Sequence, residues 1–151
     1  MNYLLFGGAR DTGKSESVYN LANHLVRNLS YSVRSGNLPN SYAEFQCIIE
    51  KNDNVILIQS YTDLVQNIKS LKGIFNSNPD ITHIITANRN EGDYMRQRFR
   101  NIMNITSNDY VFEIPLGKVI SGNTREINIK WYLKGILKVA IGISNQSPFS
   151  F

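Results

Sequence analysis

Eight consecutive residues, Gly8, Ala9, Arg10, Asp11, Thr12, Gly13, Lys14 and Ser15, follow the spacing G-x-x-x-x-G-K-[ST], and each fixed position has a chemical reason. Glycines at 8 and 13 let the backbone turn so that successive N–H groups converge on one small volume, an arrangement that holds phosphate oxygens. Lys14 brings a positive charge within reach of the β- and γ-oxygens of a phosphate chain. The Ser15 hydroxyl offers an oxygen ligand to magnesium, which prefers such ligands and keeps several waters. A helix that begins here adds the partial positive charge of its N-terminus and carries Glu16 in the same turn. Asp11 either faces the metal, Arg10 or an acceptor, or points outward as exposed side chains of such loops do.

These residues work only if a strand delivers them and a helix receives them. Tyr3 to Phe6 is an apolar run that breaks into Gly7 and Gly8, and Val18, Leu21, Ala22, Leu25, Val26 and Leu29 then recur at helical spacing. Farther along, Tyr31 to Arg34 predicts a short strand, Gly36 to Asn40 a turn, and Tyr42 to Lys51 a helix ended by Asn52, Asp53 and Asn54. Val55 to Ile58 and Ile81 to Ala87 are continuous apolar runs of the kind buried on both faces of a parallel sheet. Leu64, Val65, Ile68, Leu71 and Phe75 keep helical spacing between them. A helix over about Gly92 to Asn104, a strand over Tyr110 to Ile114 and a last helix from Asn123 to about Ile143 complete the pattern; Ile127 to Trp131 also alternates like a strand, and the tail from Ser144 reads as frayed. Strands alternating with helices predict a three-layer α/β/α fold around a mainly parallel five-stranded sheet, one nucleotide-binding domain over 1–151.

The loop in its strand-and-helix setting resembles the P-loop NTPase superfamily. The resemblance implies ATP and Mg2+ as ligands, with residues 8–16 cradling the phosphates and Ser15 on the metal. In that superfamily a second strand usually ends in an acid that holds magnesium through water. Here Val55 to Ile58 runs into Gln59, which has no charge, and Asp63 either substitutes as the metal acid or simply opens a helix. Arg89, Arg96 and Arg100 are expected on one helical face, a placement similar to the lid of small P-loop kinases acting on nucleosides, nucleotides or shikimate. Lid arginines there, with Lys14, neutralise charge on the transferred phosphoryl group; the alternative is a solvated face paired with Glu91 and Asp93. An acceptor would lie across the carboxyl ends of the strands, within reach of Arg34, Asn37 and Tyr42.

The resemblance therefore implies a kinase passing the γ-phosphoryl group to a nucleotide or other small metabolite, the alternative being a P-loop ATPase or nucleotide-dependent switch acting through a protein. The net charge of +4 comes from 16 basic and 12 acidic residues spread thinly along the chain, which suits a small anionic ligand better than nucleic acid. No apolar run approaches the length of a membrane span. Lys130, Lys134 and Lys138 recur at four-residue spacing in the last helix, a pattern that can lie on an anionic membrane surface or pack on a partner. The preferred reading is a sheet cover with its lysines in water and no membrane contact, and a homodimer is compatible with the pattern. A single cysteine, Cys47, makes no internal disulfide and suggests a reducing, cytoplasmic setting. Cys47, His24 and His83 read as structural, since none has a catalytic or metal-binding partner at a useful spacing.

Overall fold

A computed structural model describes residues 1–89, 93–119 and 125–151. Ten elements follow one another: β1 (Asn2–Gly8), α1 (Lys14–Asn28), β2 (Ser32–Asn37), β3 (Gln46–Lys51), β4 (Asn54–Gln59), α2 (Val65–Ser77), β5 (His83–Arg89), α3 (Asp93–Met103), β6 (Tyr110–Leu116) and α4 (Arg125–Ser144). The strands form one sheet in the order β2-β3-β4-β5-β1-β6. β4, β5, β1 and β6 pair in parallel, whereas β3 runs antiparallel to both β2 and β4. The sheet thus has six strands rather than the expected five.

The extra strand is β3, where a helix over Tyr42 to Lys51 was expected. Its Cys47, Ile48 and Ile49 are all buried, and pairing sets Cys47 opposite Ile58 and Ile49 opposite Ile56. Lys51 pairs with Asn54 across the two-residue turn Asn52-Asp53, with Asn52 at a φ of 52°. Asn tolerates that left-handed conformation better than most residues, so the polar trio that looks like a helix stop makes a hairpin instead. β2 also runs farther than Arg34, because Gly36 continues the strand at a φ of 77°. A Cβ there would fall 2.3 Å from the Gln46 carbonyl oxygen.

Side chains alternate across the sheet and build two cores. One face gathers Leu4, Phe6, Ile56, Ile58, Ile85, Ala87 and Ile114 under α1 and α4, including Val18, Leu21, Leu25 and Ala140. The other gathers Tyr3, Leu5, Leu57 and Ile84 under α2 and α3, including Ile68, Leu71, Phe99 and Met103. Both faces of the central strands are covered, which is why their sequences read as unbroken apolar runs. Phe149 is buried, its ring meets His83 and Tyr110, and the Phe151 amide donates to the Ser144 carbonyl. The expected frayed tail is therefore part of the core. The Asn123 cap expected for α4 lies outside the described residues.

Candidate functional site

β1 carries its chain to the carboxyl edge of the sheet and releases it at Gly8, opposite Arg89 of β5 and Leu116 of β6. At Gly8 a Cβ would meet the Thr12 Oγ1 at 2.4 Å, so only glycine lets Thr12 fold back and donate to the Ala9 carbonyl at 3.0 Å. Gly13 holds a φ of 83° and opens α1, whose first turn receives no side-chain cap. The Ser17 amide donates to the Gly13 carbonyl, leaving the N–H groups ahead of it facing the loop. Leu133 of α4 closes the loop from behind: a Cβ on Gly13 would stand 2.7 Å from its Cδ2.

Lys14 is buried, and its Nζ donates to the Ala9 carbonyl at 2.7 Å and lies 3.9 Å from Asp63 Oδ1. Two donors, the Thr12 hydroxyl and the Lys14 ammonium, therefore converge on one carbonyl. Around them lies a cleft of about 230 Å³ lined by Arg10, Asp11, Thr12, Gly13, Lys14, Ser15, Tyr42, Glu44 and Asp63. Three carboxylates, Asp11, Glu44 and Asp63, and two cations, Arg10 and Lys14, line it. Burial raises the Tyr42 phenol above its usual range, against a hydrogen bond with Ser15 that lowers it; Glu16, Glu44 and Asp63 add to the rise. Asp11 is exposed, has a φ of 61°, and forms a solvent-exposed pair with Arg10 at 3.8 Å.

The sequence-predicted residues divide cleanly. Ser15, Asp63 and Tyr42 come together with the loop; Ala9 and Glu16 flank it. Gln59 is fully buried and tied down: its Nε2 donates to the Tyr61 carbonyl at 2.6 Å and the Asn67 carbonyl at 3.1 Å, while its Oε1 accepts from Gln46. Its neutral amide is thus part of the packing of β3, β4 and α2. Arg89 ends β5 and is not on the expected helical face. Arg34 pairs with Asp80 and Glu50, with Asp80 just ahead of β5, toward the end of the sheet away from the loop. Asn37 is exposed at the end of β2.

Arg96 and Arg100 lie on α3, outside the residues lining the cleft. Arg100 is exposed, and Arg98 stacks its guanidinium on the Tyr94 ring at 4.6 Å. Arg96 makes a two-pronged contact with Glu113 of β6, Nη2 to Oε1 at 2.6 Å and Nε to Oε2 at 3.1 Å. That carboxylate lies directly over Gly7, where a Cβ would be 1.8 Å from Oε1. Sequence reasoning missed Glu113, and Gly7 immediately before the motif was its one signal. It also missed Asn88, which pairs in register with Gly7, is buried, and keeps an Oδ1 with no hydrogen-bond partner. A polar residue ending the apolar run Ile81 to Ala87 was the available clue.

Among the described residues no three His, Cys, Asp or Glu side chains gather in a metal-holding arrangement, and no helix is long and apolar enough to cross a membrane. The three-layer α/β/α architecture with its mostly parallel six-stranded sheet is consistent with the broad class of Rossmann-like nucleotide-binding folds. Comparison of the chain with protein-family models, with curated proteins and with solved structures gives no match.

Proposed function

We propose that this chain is a P-loop protein that binds ATP with Mg2+ in the cleft at the head of α1. The observation that carries the reading is the meeting, in one cleft, of the Gly8 to Ser15 loop, the buried Lys14 ammonium and the Asp63 carboxylate. The uncapped helix terminus and Lys14 attract the phosphates. The Ser15 hydroxyl and Asp63 carboxylate are hard oxygen donors lining the same cleft, and they would hold magnesium, which prefers such ligands. When bound, the ion supplies charge neutralisation between the phosphate oxygens. Three carboxylates around the cleft disfavour a bare polyphosphate, so binding depends on the metal.

As a kinase the protein passes the γ-phosphoryl group to a nucleotide or other small acceptor beside Tyr42. Lys14, Arg96 and Arg100 then stabilise the charge on the group in transfer, with Arg96 released from Glu113. A second reading, a slow ATPase or nucleotide-dependent switch without a small acceptor, is favoured by two observations. Gln59 is locked by its hydrogen bonds where a metal acid is usual, and Arg96 is held by Glu113.

Calorimetric titration of ATP with magnesium and with chelator tests the common part. Saturable, magnesium-dependent binding is expected, and Lys14→Ala should weaken it by about ten- to hundredfold, the worth of one hydrogen bond to a charged group. Undiminished binding by that variant, or none by the native chain, overturns the reading. Transfer to added nucleotides and metabolites then separates kinase from switch.

A further inference from the structure

We propose that the outer face of α4 is a peripheral docking surface for an anionic lipid bilayer. The inner side of this helix is accounted for by Leu133 on Gly13, Ala140 in the core, and Ile136, Leu137, Ile141 and Ile143 packed against it. Its other side is not what a sheet-covering helix requires. Ile127 and Trp131, one turn apart, are 69% and 76% exposed, the two most exposed large apolar side chains among the described residues. Lys134 and Lys138 continue the same stripe, Lys130 flanks it, and all three lysines are exposed. At 100° per residue these five side chains fall within about one third of the helix circumference, a sector that turns inward at its carboxyl end, where Ile141 packs against the core.

Charge selects the occupant. From 127 to 144 the helix has three lysines and no acid. The acids that share a groove with this helix are Glu16 of α1, beside Lys130 and Lys134, and Asp11 of the loop, beside Ile129, Tyr132 and Leu133 on its other side; Glu126 stands one residue ahead of the stripe. A second copy of the same face would bring lysines against lysines. A protein groove that takes a helix reads apolar anchors over two or three turns of one stripe. Here Ile127 and Trp131 fill one turn, the half-exposed Val139 lies about 80° round the helix from Trp131, and the stripe itself continues as Lys134, Gly135, Lys138 and Gly142. A bilayer surface matches both parts. The indole and the isoleucine enter the headgroup boundary, and the long lysine stems set their ammonium groups among lipid phosphates. The contact lies on the membrane without spanning it and is independent of the nucleotide reading.

Cosedimentation of the full chain with phosphatidylcholine vesicles, with and without phosphatidylserine, is the test. Binding is expected only to the anionic vesicles and should fall with added salt. Replacing Lys130, Lys134 and Lys138 together by Gln should weaken it by about a hundredfold, at about fivefold per lysine near the surface. Trp131→Ala and Ile127→Ser should each weaken it as well. These side chains are exposed, so unchanged circular dichroism is expected, and it shows that each variant remains folded. Absence of binding to anionic vesicles, equal binding to neutral ones, or binding indifferent to these substitutions overturns the proposal. A vesicle-independent dimer that Trp131→Ala dissociates would overturn it in favour of a second copy as the occupant.

Discussion

The contact between Gly13 and Leu133 can be weighed by a double-mutant cycle. Gly13→Ala carries two costs. One is backbone: a φ of 83° suits glycine, and a Cβ in the left-handed region costs about 1 kcal/mol. The other is steric, since the new methyl would be 2.7 Å from the Leu133 Cδ2, and forcing a methyl into packed space costs about 1–3 kcal/mol. The single variant should therefore lose about 2–4 kcal/mol of unfolding free energy. Leu133 is buried, so Leu133→Ala alone should lose about 2–4 kcal/mol by opening a cavity. In the double variant the methyl enters space that leucine vacated. The steric cost disappears while the backbone cost remains, so the double variant should be more stable than additivity predicts by about 1–3 kcal/mol. Urea unfolding followed by far-ultraviolet circular dichroism measures all four proteins. Losses that add within experimental error would refute the packing of α4 on the loop.

Gln59→Glu should cost about 3 kcal/mol or more in the same unfolding assay. It buries a charge and removes the donor that serves the Tyr61 and Asn67 carbonyls; a neutral effect would mean that the amide is not locked. Burial holds His83 below its ordinary pKa, against the Pro148 carbonyl that raises it, and the chain's N-terminal ammonium lowers it further. The neutral ring also meets Asn2, Thr82 and the Phe149 and Phe151 rings. The unfolded chain then takes up the proton first, so stability should fall as pH drops through about 6.5 and below, and His83→Gln should flatten that part of a stability-versus-pH curve. Cys47 is pushed by burial to about 12, so alkylation at neutral pH should proceed at the rate of unfolding and accelerate in urea; rapid modification of the folded chain would contradict its placement.

Local sequence determined most of the frame. The apolar runs at Tyr3, Val55 and Ile81 became β1, β4 and β5 because strands covered on both faces leave no room for polar alternation. Tyr42 to Lys51 was different. Phe45, Ile48 and Ile49 satisfy helical spacing as well as strand burial, and the choice was made by partners distant in the chain, Ile56 and Ile58 across the hairpin. Arg96 was recognisable as a cation on a helix, but its engagement with Glu113 depends on β6 lying beside β1, a neighbour relation that no local period encodes. Asp63 was legible as an acid near the start of α2, yet it does not open that helix, which begins at Val65 with Leu64 as its cap and no acid in its first turn; its approach to Lys14 came from sheet order. Phe149 and Phe151 found their places through contacts with β5 and β6 some forty to seventy residues away.

Trp131 is the only tryptophan, and its indole already stands in water in the folded protein. Its fluorescence is consequently a probe of the surroundings of α4 and nearly blind to the sheet. A denaturation curve drawn from tryptophan emission would register little while both cores came apart. The spectroscopic record of folding lies with Tyr3, Tyr19 and Tyr31, which are buried and whose absorbance changes when water reaches them. Two optical channels, usually redundant, here report on two different parts of the molecule.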